Sequence, residues 1–156
     1  MGYRFAHRLR RLHYARSGKT VEGCSVLAVD GDGRFLLVRH SYGPKVWAFP
    51  GGGIGKHETA LVAAAREFRE ELGCPLLNIK RVALDSETYL GATNIVHVFT
   101  GRINGKPRVD RREIVEARFF ARDKFPANVS PTVERRMQAF DAVREEKPSY
   151  RGLKQV

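Results

Sequence analysis

Residues 52–74, GGIGKHETALVAAAREFREELGC, decide how the rest of the chain reads. They open on the glycine run Pro50-Gly51-Gly52-Gly53-Ile54-Gly55, which predicts a loop, since glycine is costly inside helices and strands and tolerant of positive φ. A helix is expected next. Leu61, Ala64, Ala65, Phe68 and Leu72 recur at spacings of three and four and predict one buried stripe. Gly73 ends the helix, and Pro75 prevents its continuation.

Glu67, Glu70 and Glu71 stand at i, i+3 and i+4 of that helix, which predicts one acidic patch turned away from the apolar stripe. Like charges at this spacing repel by roughly 0.2–0.5 kcal/mol per pair. The C-terminal end of the helix dipole disfavours anions as well. A hard divalent cation reverses both penalties, and Mg²⁺ is typically held by one or two carboxylates together with substrate phosphates. Taken alone, three glutamates in five residues read most simply as a solvated helix face. The flanks change that weighting.

Gly52, Glu58, Arg66, Glu67, Phe68, Glu70, Glu71, Gly73 and Cys74 fit G-x5-E-x7-R-E-U-x-E-E-x-G-U, with U a bulky apolar residue. This spacing resembles the signature of the Nudix hydrolases. Phe68 and Cys74 depart mildly from the aliphatic residues usual at the U positions, which touches packing rather than charge. A P-loop is excluded, because Pro50 stands five residues before Gly55 and His57 follows Lys56 where Ser or Thr is required. The dinucleotide-binding G-x-G-x-x-G arrangement is absent too.

The resemblance implies hydrolysis of a nucleoside diphosphate linked to another moiety, by water attacking a phosphorus of the pyrophosphate. It implies that Glu67, Glu70 and Glu71 hold Mg²⁺, with Mn²⁺ as the alternative. The Gly51 carbonyl is then a further ligand, and Gly52 permits close approach of the loop. Arg66 is placed to orient the carboxylates or to pair with Glu58. A carboxylate from outside the motif commonly completes such sites, and the candidates are Glu113 and Glu116, with Glu113 favoured because it sits in a loop. Arg39, His40, Tyr42 and Tyr89 are candidate substrate contacts, each read equally as ordinary surface or sheet-edge side chains. His97 reads as a structural strand residue.

Length and charge bound the remainder. The 156 residues amount to one domain, expected over 21–147, with a basic arm at 1–20 and a tail at 148–156. Net charge is +11 and pI about 10.2, which calls for an anionic partner. Tyr3, Phe5, Leu9, Leu12 and Tyr14 lie among basic residues in the arm, so a nucleic acid or an anionic membrane surface is its alternative partner to simple packing. A homodimer is left open. Cys24 and Cys74 suggest neither a disulfide framework nor a zinc site. No transmembrane segment or signal h-region is read, and a cytoplasmic protein is expected.

Cys24–Val29 and Arg34–Arg39 predict a hairpin about Asp30-Gly31-Asp32-Gly33, and 46–49 a short strand into the glycine run. Strands are expected over Asn78–Ser86, Thr93–Ile103 and Ile114–Phe120, then a helix capped by Ser130-Pro131. This order predicts an α/β fold, an α/β/α sandwich with a mixed sheet, and the Nudix resemblance implies the same. The weaker readings are a basic nucleic-acid-binding module and a non-catalytic nucleotide sensor on the same fold.

Overall fold

The computed structural model describes residues 20–89 and 92–145. The basic arm up to residue 19, residues 146–156 and the Tyr89 side chain lie outside the described set.

Seven strands form one mixed sheet: β1 (Val21–Val29), β2 (Phe35–His40), β3 (Trp47–Ala48), β4 (Gly51–Gly53), β5 (Leu76–Tyr89), β6 (Ala92–Ile103) and β7 (Ile114–Phe120). Helix α1 (Ala60–Leu72) covers one face, and α2 (Pro131–Glu145) covers the other. β1 is central and runs parallel to β6, from Val21↔Asn94 to Val29↔Arg102. β5 and β6 form a long antiparallel pair, and β7 lies antiparallel to β2.

The hairpin forms where the Asp-Gly turn predicts it, but its ladder stops at Val29↔Phe35. Beyond that pair the two strands diverge, and β4 takes the edge of β1 while β3 takes the edge of β2. The glycine run is therefore not a loop throughout. Gly51–Gly53 pairs with Ser25, Cys24 and Gly23, so the predicted loop is corrected to a short strand followed by a turn. Side-chain-free residues are needed there for packing: a Cβ on Gly51 would strike the Cys24 carbonyl. Strand β5 also begins two residues earlier and ends three later than expected, because the long partner β6 supplies its ladder.

Alternation along β1 and β2 divides the core. Cys24, Val26, Ala28, Leu36 and Val38 meet Ala63, Ala64, Phe68 and Leu72 of α1. Leu27, Phe35, Leu37, Val96 and Val98 meet Val133 and Met137 of α2. Burial of each large apolar side chain contributes about 1.5–3 kcal/mol. Leu61 is corrected from the stripe: it is 46% exposed in the first turn of α1, and Glu71 takes a buried place beside Leu72 instead.

Candidate active site

The motif helix is fixed at both ends by local chemistry. Thr59 caps its N-terminus, accepting from the Val62 N–H, and Gly73 closes it in the left-handed conformation with its N–H on the Arg69 carbonyl. A Cβ on Gly52 would fall within 2.7 Å of both Glu67 carboxylate oxygens, so the glutamate rests directly on that strand's backbone.

Arg66 organises the acids around it. Its Nε donates to Glu58 at 3.0 Å and its Nη2 to the same carboxylate at 2.5 Å, a two-point contact that also reaches the Gly53 carbonyl at 3.2 Å. Its Nη1 donates to Glu67 at 2.9 Å and to Glu70 at 3.5 Å. Bonding to Glu58 foremost, then the charge of Glu67, holds the guanidinium protonated and lifts its pKa further. Glu58 accepts in turn from the Gly55 N–H at 2.6 Å, so the glycine turn, Glu58 and α1 are one bonded unit.

Glu71 is different. It is 4% exposed, and its Oε2 has no hydrogen-bond partner among the described residues. Burial raises its pKa well above the usual carboxylate range, and the charges of Glu67, Glu113 and Asp110 raise it further against the Gly51 N–H. The sequence expectation that all three motif glutamates lie on one patch turned away from the apolar stripe is thus corrected: Glu71 is buried beside Phe68 and Leu72. The cause is helical rotation, which places residue 71 beside Phe68 and Leu72.

An orphaned, buried carboxylate oxygen with further acids in electrostatic reach fits a hard divalent cation in donor chemistry. Among the described residues no three His, Cys, Asp or Glu side chains stand close enough to hold an ion as placed. Arg66 meanwhile bonds both Glu67 and Glu70. Cys24 is the β1 partner of Gly52, its Sγ 3.6 Å from the Gly52 carbonyl, and burial pushes its pKa up to about 11, which keeps it a thiol.

The two outside candidates separate cleanly. Glu113 comes within electrostatic reach of Glu71. Glu116 is paired across the ladder with Arg39 and forms ion pairs with Arg39 and Arg118. Both of those guanidiniums lie over the Trp47 ring, at 5.4 and 5.9 Å, and Trp47 belongs to the core beneath α2. Arg39 and Glu116 thus stand on the face opposite Glu71. The His40 and Tyr42 rings meet at 5.1 Å. His97 bonds Glu22 at 3.0 Å in the sheet. Asp110, whose charge also reaches Glu71, was not singled out in the sequence.

The NUDIX domain family model matches residues 19–140. The chain is 37% identical over 59 residues to the RNA pyrophosphohydrolase of Teredinibacter turnerae, a match covering 38% of this chain and 34% of that protein. It is 42% identical over 46 residues to the 8-oxo-dGTP diphosphatase of Buchnera aphidicola, covering 30% of this chain and 37% of the relative. The matched stretches thus span about a third of those relatives. Among solved structures, a MutT NUDIX hydrolase from Burkholderia pseudomallei superposes with a TM-score of 0.71 at 25% identity, over 77% of this chain and 97% of that one. A UDP-X diphosphatase follows with a TM-score of 0.69 at 22% identity, over 81% of this chain and 64% of that one. With its mixed sheet between two helices and the motif running from β4 through α1 to Cys74, the chain belongs to the Nudix family.

Proposed function

We propose that this protein is a divalent-metal-dependent hydrolase that cleaves the pyrophosphate bond of a nucleoside diphosphate linked to another moiety, or of a related nucleotide, with water attacking phosphorus. The observation that carries the reading is Glu71: a buried carboxylate with an unpartnered oxygen, beside Glu67 and within reach of Glu113. Burying a carboxylate without a partner is strongly unfavourable, which is what raises the Glu71 pKa, and a divalent cation would supply the missing partner.

In this reading Glu67, Glu70, Glu71 and Glu113 hold Mg²⁺, or Mn²⁺ in its place, with the Gly51 carbonyl as a further oxygen donor. The ion supplies charge neutralisation for the pyrophosphate oxygens and a lowered pKa for water. Arg66 keeps Glu67 and Glu70 oriented, and Glu58 keeps Arg66 and the glycine turn in register. The bare backbone of Gly52 leaves Glu67 room against β4. The relatives named for RNA and for 8-oxo-dGTP support a nucleotide pyrophosphate as the substrate class. A net charge of +11 suits such polyanions, and Arg108, Arg111 and Arg112 flank Glu113 in the chain.

The test is a substrate panel of nucleoside diphosphate derivatives, dinucleoside polyphosphates, nucleoside triphosphates and 5′-triphosphorylated RNA, assayed for phosphate or pyrophosphate release with and without Mg²⁺. Mg²⁺-dependent release from at least one class is expected. No release from any of them, in a folded protein, overturns the assignment.

A further inference from the structure

Asp110 lies outside the motif and has no role in the reading above. Its Oδ1 accepts from three successive main-chain N–H groups, those of Arg112, Glu113 and Ile114, each at 3.0 Å. Bonds from main-chain donors to an ionised carboxylate are stronger than neutral ones. They hold a backbone that does not relax into this shape unaided: Arg111 sits at φ 56, in the left-handed region, with its N–H on the Ile114 carbonyl at 3.0 Å. A non-glycine residue there carries a cost, on the order of 1 kcal/mol or more.

The same loop is tied from the end of β2. Ser41 donates from its N–H to the Glu113 carbonyl at 2.9 Å and from its hydroxyl to the Arg112 carbonyl at 2.6 Å. Glu113 therefore has its N–H on Asp110 and its carbonyl on Ser41. Both main-chain groups of one residue are fixed, and that residue is the acid outside the motif whose charge acts on Glu71.

From this geometry we infer that Asp110 is a positioning residue, whose carboxylate fixes the main chain of Glu113 so that its side chain joins the ion-binding acids of α1. The inference rests on the hydrolase reading of that cluster. The charge of Asp110 also reaches Glu71, less strongly than that of Glu113, and the part inferred for it is the placement of its Oδ1 under the Glu113 main chain. An ordinary turn-closing aspartate would stabilise the loop without affecting ion binding.

Two substitutions separate geometry from charge. Asp110→Asn keeps an oxygen acceptor at the same reach and removes the charge, whereas Asp110→Glu keeps the charge and displaces the acceptor by one methylene. Mn²⁺ binding, followed by electron paramagnetic resonance, is measured for the wild type, for both variants and for Glu113→Gln. It is measured again with each Asp110 change in the Glu113→Gln background, and Mn²⁺-dependent hydrolysis and thermal melts accompany every titration. Glu113→Gln and Asp110→Glu are each expected to weaken Mn²⁺ binding about tenfold, Asp110→Asn by less than about threefold, and Asp110→Glu by nothing further once Glu113 is gone. Loss with Asp110→Asn but not with Asp110→Glu overturns the inference in favour of a charge role. So do effects that multiply in the double variant, or a lowered melting temperature with Mn²⁺ binding unchanged. A wild type that binds Mn²⁺ but hydrolyses nothing overturns the hydrolase reading alone, and the cycle is still read from binding. One that binds no Mn²⁺ overturns both.

Discussion

Two arginine–carboxylate assemblies lie on opposite faces of the same sheet, and they are built to opposite accounts of charge. Beneath α2, Arg135 makes a two-point contact with Asp85 at 2.8 Å, and Arg136 reaches Asp85, Glu87 and the Ser25 hydroxyl. Asn94 completes it by donating to Glu87 at 2.7 Å. Two cations meet two anions there. Beneath α1, Arg66 bonds Glu58, Glu67 and Glu70, while Glu71 is buried among further acids. The pKa directions follow. Against the cost of burial, Arg135 and Arg136 hold Asp85 below its ordinary value, whereas burial and neighbouring anions drive Glu71 upward. A balanced network fastens a helix to a sheet; an excess of buried acid is what, in the proposed function, a cation would relieve.

The sharpest way to break this comparison is Arg136→Ala. Arg136 is 7% exposed, and removing one member of a buried ion network typically costs about 3–5 kcal/mol. Urea denaturation should show a loss of that size, and a loss under about 1 kcal/mol would mean that the α2 network is not structural. Glu71→Gln should act in the opposite sense. It is expected to lower kcat by about 10²-fold or more, a loss of about 2.7 kcal/mol in transition-state stabilisation, while the metal-free protein becomes no less stable. Near-normal turnover, or a destabilised apo protein, would remove the contrast.

Acid titration sharpens it further. The folded pKa of Asp85 lies below its ordinary 3.8, so its contribution to stability is present above that value and lost as pH falls through the folded pKa. Wild-type stability should therefore drop on acidification below about pH 4. In Asp85→Asn, itself less stable at neutral pH, that part of the slope should be missing. Glu116→Gln carries the smallest expected effect. Glu116 belongs to the Arg39–Arg118–Trp47 face, so hydrolysis and Mg²⁺ dependence should stay within about twofold of wild type, by steady-state kinetics. A tenfold change would place Glu116 in the site after all.

Much of this was legible locally. The 52–74 motif, the Asp-Gly hairpin turn, the Gly73 stop and the Ser130-Pro131 helix start are short-range signals, and each element they announce is present. The pairing of Arg66 with Glu58 was likewise within reach, since Glu58 stands just before α1 and the long Arg66 side chain reaches back to it from mid-helix. The register of Gly51–Gly53 was not legible, because glycine signals permissiveness and a strand partner 28 residues earlier decides how it is used. Leu61 misled for a related reason: period alone does not say where the covering sheet ends.

Sequence by itself determined the family, the mixed α/β/α architecture and the identity of the motif acids, because capping, turn chemistry and hydrophobic period act over a few residues. Only the tertiary structure decided that Glu71 is the buried acid, that Glu113 and not Glu116 comes within electrostatic reach of it, and that Asp110 bonds the main chain of residues 112–114. Those outcomes depend on helix rotation against the strands and on main-chain hydrogen bonds between distant segments. Burial and long-range charge are properties of the assembled sheet, and no local pattern encodes them.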